Sequence, residues 1–173
     1  MDMMRWRNGA FSVLSVALAA VIFLTSCVQN LSPSDYFSHT DQRFRAEVRG
    51  TLYGEGFCAV VEADFAPTGV RISRISYLSP AHLAGVSVED LGDGTATVSF
   101  DGVSVAVSRA SVSGLLLPLD LLLFEGDVLT VRKDGNTTLL TLPDGLSLSL
   151  SSTNPISVSA PTCSYSIAWW EVF

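Results

Sequence analysis

Residues 44–65 read FRAEVRGTLYGEGFCAVVEADF. Phe44, Ala46, Val48 and Leu52 alternate with Arg45, Glu47, Arg49 and Thr51. A period of two puts one set on a buried face and the other in solvent, which is the mark of a half-buried strand. Gly54-Glu55-Gly56 predicts a turn. Beyond it Phe57, Ala59, Val61, Ala63 and Phe65 alternate with Cys58, Val60, Glu62 and Asp64. The stretch is therefore a β-hairpin, and the rest of the chain repeats its texture.

Going forward, 70–78 is a third strand broken by Arg71 and Arg74. Ser79 to Gly85 reads as a loop or short helical turn, with Pro80 at the first helical position. Strands resume at Val86, at 95–100 and at 103–108, and Asp101-Gly102 between the last two is a strong two-residue hairpin turn. Further strands fall at 128–133, 136–142 and 146–151, separated by Asp134-Gly135 and Asp144-Gly145. Thr153-Asn154-Pro155 predicts a turn, 156–160 a short extended piece ended by Pro161, and 164–173, SYSIAWWEVF, a last aromatic strand. Adjacent Trp169 and Trp170 must then face opposite sides, one of them packed in the core. The sum is a mainly β chain of nine to ten strands in consecutive hairpins. A sheet of that length curls, which leaves a concave face to be filled.

One stretch breaks the pattern. Residues 113–125, SGLLLPLDLLLFE, are apolar without a period of two, and leucine favours helix. They predict a short, buried apolar helix or helical loop, with Pro118 near its start, Asp120 in its first turn and Gly126 at its end. The concave face is filled by side chains, by this insert or by a ligand.

The N-terminus is different again. Arg5 and Arg7 precede an uncharged run at 10–24, AFSVLSVALAAVIFL, closed by the small residues Thr25 and Ser26 and then Cys27. That is the anatomy of a secretory signal, and the run is short of the roughly 20 apolar residues a spanning helix needs. Leu24-Thr25-Ser26-Cys27 resembles the lipobox of bacterial lipoproteins. The resemblance implies acylation of Cys27 (palmitate or a similar chain), cleavage before it, and a mature chain anchored outside the cytoplasm. Val28, in place of an Asp, would by the same rule direct it to the outer membrane of a two-membrane cell. Residues 1–26 are thus the expected signal peptide, 27–43 a lipidated polar tether on which Tyr36 and Phe37 dock, and 44–173 one β domain.

The mature part, 147 residues, is long enough for one core. Its eight Lys and Arg stand against sixteen Asp and Glu, a formal charge of −8. This speaks against nucleic acid, whose binding needs a basic footprint. Cys58 and Cys163 form a candidate disulfide in an exported chain. Closing a loop of ~100 residues would contribute roughly 4–5 kcal/mol. The alternative is two buried thiols acting as small hydrophobes.

The order FRAEVRGTLYGEGFCAVVEADF, SYLSPAHLAGVSVED, a proline-bearing leucine insert and a Ser/Leu meander resembles the LolA/LolB-like lipoprotein carriers, whose fold the LppX and LprG lipoproteins share. The resemblance covers 44–173 and implies an incomplete antiparallel barrel plugged by short helices, with a cavity that binds acyl chains. The long amphipathic N-terminal helix and the basic arginines of such carriers are not visible here. On this reading the cavity lining comes from the insert, at Leu115, Leu116, Leu119, Leu122, Leu123 and Phe124. The inward strand faces add Phe57, Val61, Phe65, Leu146 and Leu148. The rival reading is a structural or interaction module of the envelope with a filled core.

No GxSxG, HExxH, CxxC or phosphate-loop pattern occurs, so neither an enzyme nor a cofactor is expected. His39 and His82 lie near no cysteine or carboxylate cluster, and metal sites need three or four ligands. His82 reads as a loop residue facing solvent. Asp127, Asp134 and Asp144 sit beside turn glycines. Glu89, Asp90 and Asp93 form a small acidic patch that reads as a solvated loop, with weak calcium binding as the lesser alternative.

Overall fold

The structure, a computed structural model, describes residues 36–173. The signal segment, Cys27 and most of the expected tether lie outside them. Eleven strands form one sheet in which every pairing is antiparallel. The first group is β1 (Phe44–Leu52), β2 (Glu55–Phe65), β3 (Arg71–Ser79), β4 (Ser87–Asp90), β5 (Thr95–Phe100) and β6 (Val103–Ser108). The second is β7 (Thr130–Asp134), β8 (Thr137–Thr141), β9 (Ser147–Ser151), β10 (Asn154–Ala160) and β11 (Cys163–Val172). Each group is a meander, and β11 returns to pair with β1, giving the order β6-β5-β4-β3-β2-β1-β11-β10-β9-β8-β7. The sheet is not closed into a barrel; β6 and β7 are its edges. The strand count exceeds the expected nine to ten because Ser87–Asp90 and Asn154–Ala160 are each paired on both sides.

The two sheet edges are adjacent in sequence. Between them the chain makes a 3₁₀ turn at Arg109–Val112 and the helix α1 (Ser113–Leu122), which crosses the inner face against β3, β10 and β11. The predicted insert is therefore a helix, with a different phase. It begins at Ser113, so Pro118 lies inside it and Asp120 falls beyond the first turn. The preceding 3₁₀ turn runs straight into the helix and supplies the first residues that the leucine run lacks. Asp120 instead meets Arg109, whose guanidinium also holds Asp90 at 2.5 Å. Burial raises the Asp120 pKa despite that neighbour.

Alternation sets the two faces. Phe44, Ala46, Val48, Ala59, Val61, Ile75 and Tyr77 are buried under α1 with Leu116, Leu119 and Leu122. The outer face carries ion pairs such as Arg45–Glu62 at 2.9 Å and Arg74–Glu89. Exposed pairs of this kind contribute little stability.

Two local readings are corrected. The first hairpin turns at Tyr53-Gly54, both at positive φ (51° and 84°), and β2 already begins at Glu55. The glycine-rich sequence pointed one residue too far, because tyrosine is a poor left-handed residue. Asn154 and Pro155 belong to β10, and the turn before them is Ser152-Thr153. Pro155 is accommodated at a register irregularity opposite β9.

The candidate disulfide does not form. Both thiols are free, on β2 and β11, with β1 between them. Cys58 pairs with Arg49 on the outer face, while Cys163 is buried on the inner face opposite Leu52. Side chains on opposite faces of a sheet cannot meet. Burial pushes the Cys163 thiol up to about 11.

Candidate functional site: an apolar cavity at the start of the helix

The inner face beneath α1 is floored by three rings. Phe57 lies 6.2 Å from both Tyr77 and Tyr165, centroid to centroid. The Tyr77 hydroxyl donates to the Leu115 carbonyl at 2.6 Å, and the Tyr165 hydroxyl to the Pro118 carbonyl at 2.7 Å. Both hydroxyls are held protonated by burial. Phe57 and Tyr165 both stand opposite Gly50, which lets the backbone of β11 come close to β1. A Cβ at that position would lie 1.9 Å from the Ser164 carbonyl oxygen and 2.5 Å from Tyr165 Cα.

The far end of α1 is sealed differently. His39, in a 3₁₀ turn at Ser38–Asp41, is buried and its Nε2 bonds the Leu122 carbonyl at 3.0 Å. Its ring meets Trp170 edge-on, and Trp170 stacks on Phe44 with centroids 4.1 Å apart. Phe37 is buried beside them, so this part of the expected tether belongs to the core. Trp169 faces outward, its Nε1 donating to Glu47.

At the near end of α1 the packing stops. A cavity of about 360 Å³ opens between the β1–β2 turn, the loop after β3 and the start of the helix. Small-molecule sites begin near this size. Its walls are Leu52, Tyr53, Phe57, Leu83, Val112 and Leu115, and its polar groups include Glu55, His82 and Ser111. Tyr53 forms one lip. Its ring lies over Gly114, where a Cβ would sit 3.5 Å from the Tyr53 hydroxyl. Exposed His82 and Glu55 approach to 3.6 Å at the rim.

Of the residues expected to line a cavity, Phe57 and Leu115 line this one, and Phe65 lines a separate, charged cleft with Glu62, Asp64, Arg74 and Glu89. Val61, Leu116, Leu119, Leu122, Leu146 and Leu148 pack in the continuous core, with Leu123 and Phe124 half-buried against it. Phe65 lies at the other end of β2, beneath the guanidinium of Arg71. Tyr53, Leu83 and Val112 were missed, because three sequence-distant pieces build the cavity. Among the described residues no group of three or more His, Cys, Asp or Glu is placed to hold a metal ion. The arrangement can bury an apolar chain against rings and leucines, with its polar end at the Glu55–His82 rim.

No family model matches the sequence, and no curated protein matches it. Among solved structures the chain is similar to an uncharacterized conserved protein from Thermus thermophilus. The TM-score is 0.51 at 11% identity, over 82% of this chain and 85% of that one. A second likeness is to MucB, solved in complex with MucA(peri), with a TM-score of 0.41 and 14% identity over 82% of this chain. The match spans 56% of the MucB chain. At these identities the Thermus likeness is one of fold alone, and the MucB likeness is too loose to bear on function.

Proposed function

We propose that this chain is an envelope lipoprotein, anchored through acylated Cys27, that binds an acyl chain or similar apolar ligand in the cavity at the start of α1. The observation that carries the ligand half of the reading is the cavity itself. It is apolar, open at one end, and walled by residues from three separate elements around the N-terminal end of the helix. Burial of apolar surface contributes roughly 25 cal/mol per Å², so a chain seated there needs few polar contacts. The β1–β2 hairpin turn, with Tyr53 and Gly54 both at positive φ, carries the Tyr53 ring to the lip of the same cavity. The anchor half is supported by the sequence around Cys27. A single acyl chain holds a protein only marginally, so stable attachment implies more than one.

Titration of the full chain in detergent with a fluorescent fatty acid tests the ligand half. Saturable binding that weakens in Leu83→Arg supports it, and absence of binding by the wild type refutes it. The anchor half is tested separately by Cys27→Ser, which should leave the chain unacylated and release it from the membrane fraction; retention and acylation as before would refute it.

A further inference from the structure

The two edges of the sheet are unlike. β7 is Thr-Val-Arg-Lys-Asp, exposed throughout and carrying charge on three of its five residues. β6 is Val-Ser-Val-Ala-Val-Ser, exposed at five of its six residues, with no charge and no proline. Among the described residues nothing pairs with its outer side. Charges and prolines are the usual protection of a bare edge, and an uncharged β-branched strand is the composition that invites a further strand.

The ladder to β5 shows what β6 presents. Phe100 pairs with Val103, Val98 with Val105 and Ala96 with Val107. A two-residue turn at Asp101-Gly102 makes Phe100 and Val103 a pair that exchanges hydrogen bonds. The N–H groups of Val103, Val105 and Val107 are therefore spent on β5. Those of Ser104 and Ala106 point out of the sheet. On the inner face Phe100, Val103 and Val105 are each more than half exposed.

We propose that β6 pairs antiparallel with β6 of a second copy of this chain, about a two-fold axis through Val105. In this register Val105 faces Val105 of the second copy, Ser104 faces its Ala106 and Val103 faces its Val107. The pairing is self-complementary on both faces, as a two-fold contact requires. The outward N–H groups of Ser104 and Ala106 find carbonyls, valines meet valines, and no like charges oppose. Centring the axis on Val105 selects the register, because it alone brings both outward-pointing positions of each copy, Ser104 and Ala106, opposite those of the other. The same operation on β7 would bring Arg132 and Lys133 close to their own copies, which is destabilising. One short strand makes a small interface, so the association is weak and shows where copies are concentrated on a surface. The proposal does not depend on ligand binding.

Cysteine cross-linking in cells expressing the full chain, in a Cys58→Ser background, tests it. Opposed residues of a non-hydrogen-bonded pair have Cα atoms ~4.5 Å apart, within disulfide reach. Val105→Cys should give a disulfide-linked dimer. Val107→Cys should not, because in this register two copies of residue 107 lie roughly 13 Å or more apart along the strands. Ala106→Pro removes an outward N–H without touching the β5 ladder, and added to Val105→Cys it should abolish the dimer. Equal cross-linking of the 105 and 107 variants would overturn the proposal, as would a dimer that survives Ala106→Pro.

Discussion

Tyr77 and Tyr165, on strands β3 and β11, donate hydroxyl hydrogens to the carbonyls of Leu115 and Pro118, three residues apart on α1. Two strands that are not neighbours thus fix one helix across the inner face. Tyr77→Phe and Tyr165→Phe should each cost about 1 kcal/mol in urea unfolding, because each leaves a carbonyl without its second donor. The double variant should loosen the helix start and with it the cavity wall at Leu115. Equal stability of wild type and both single variants would show that the helix is held by leucine packing alone.

Gly50 is the residue on which the join between the two meanders depends. Its inner-face position is occupied by the backbone of β11 at Ser164 and Tyr165. Gly50→Ala must push β1 and β11 apart, the pairing that unites the halves of the sheet. A loss of about 3 kcal/mol or more is expected, at the severe end of overpacking. A melting temperature unchanged by Gly50→Ala would mean that the central register is not the one described.

His39 makes stability depend on pH. Burial lowers its pKa below the ordinary value, with Arg71 acting in the same direction and the Leu122 carbonyl and Glu125 against it. The folded state therefore binds fewer protons than the unfolded chain. The stability that neutral His39 contributes is full above the unfolded pKa of about 6.5 and is lost as the pH falls through the folded value. Denaturation midpoints should fall on acidification from pH 7 to 5, and His39→Gln should flatten that part of the profile. An identical slope in the variant would remove His39 from the account.

The thiols give a chemical check on the topology. Cys58 is partly exposed and Cys163 buried, with burial raising the pKa of both. Alkylation of the folded protein at pH 8 should label Cys58 and spare Cys163 until denaturant is added. A 58–163 disulfide in the peptide map would contradict the face assignment.

Much of this sheet could be read from alternation. Phe44, Ala46 and Val48 announce β1, and Asp101-Gly102 announces the β5–β6 turn. The outer-face position of Cys58 was also legible, since it alternates with Phe57 and Ala59. Cys163 stands at the very start of the last strand, where alternation gives its face only once the strand is known to begin there. The leucine run gave the helix but not its phase, since leucine on every side carries no period. His39 looked like part of a polar tether; only the Leu122 carbonyl, 83 residues away, makes it a core residue. The cavity was least legible. It is made by the start of a helix, a loop and a tyrosine in a left-handed turn, and no local pattern links the three.

The central claim is that the cavity bounded by Tyr53, Leu83, Val112 and Leu115 holds an apolar ligand. Native mass spectrometry of the full chain, purified from its own host in mild detergent, tests it most directly. The account predicts a non-covalently bound acyl-chain compound on the wild type, lost when Val112→Trp fills the space. A wild type carrying no such mass, or a filled variant carrying the same one, would contradict it.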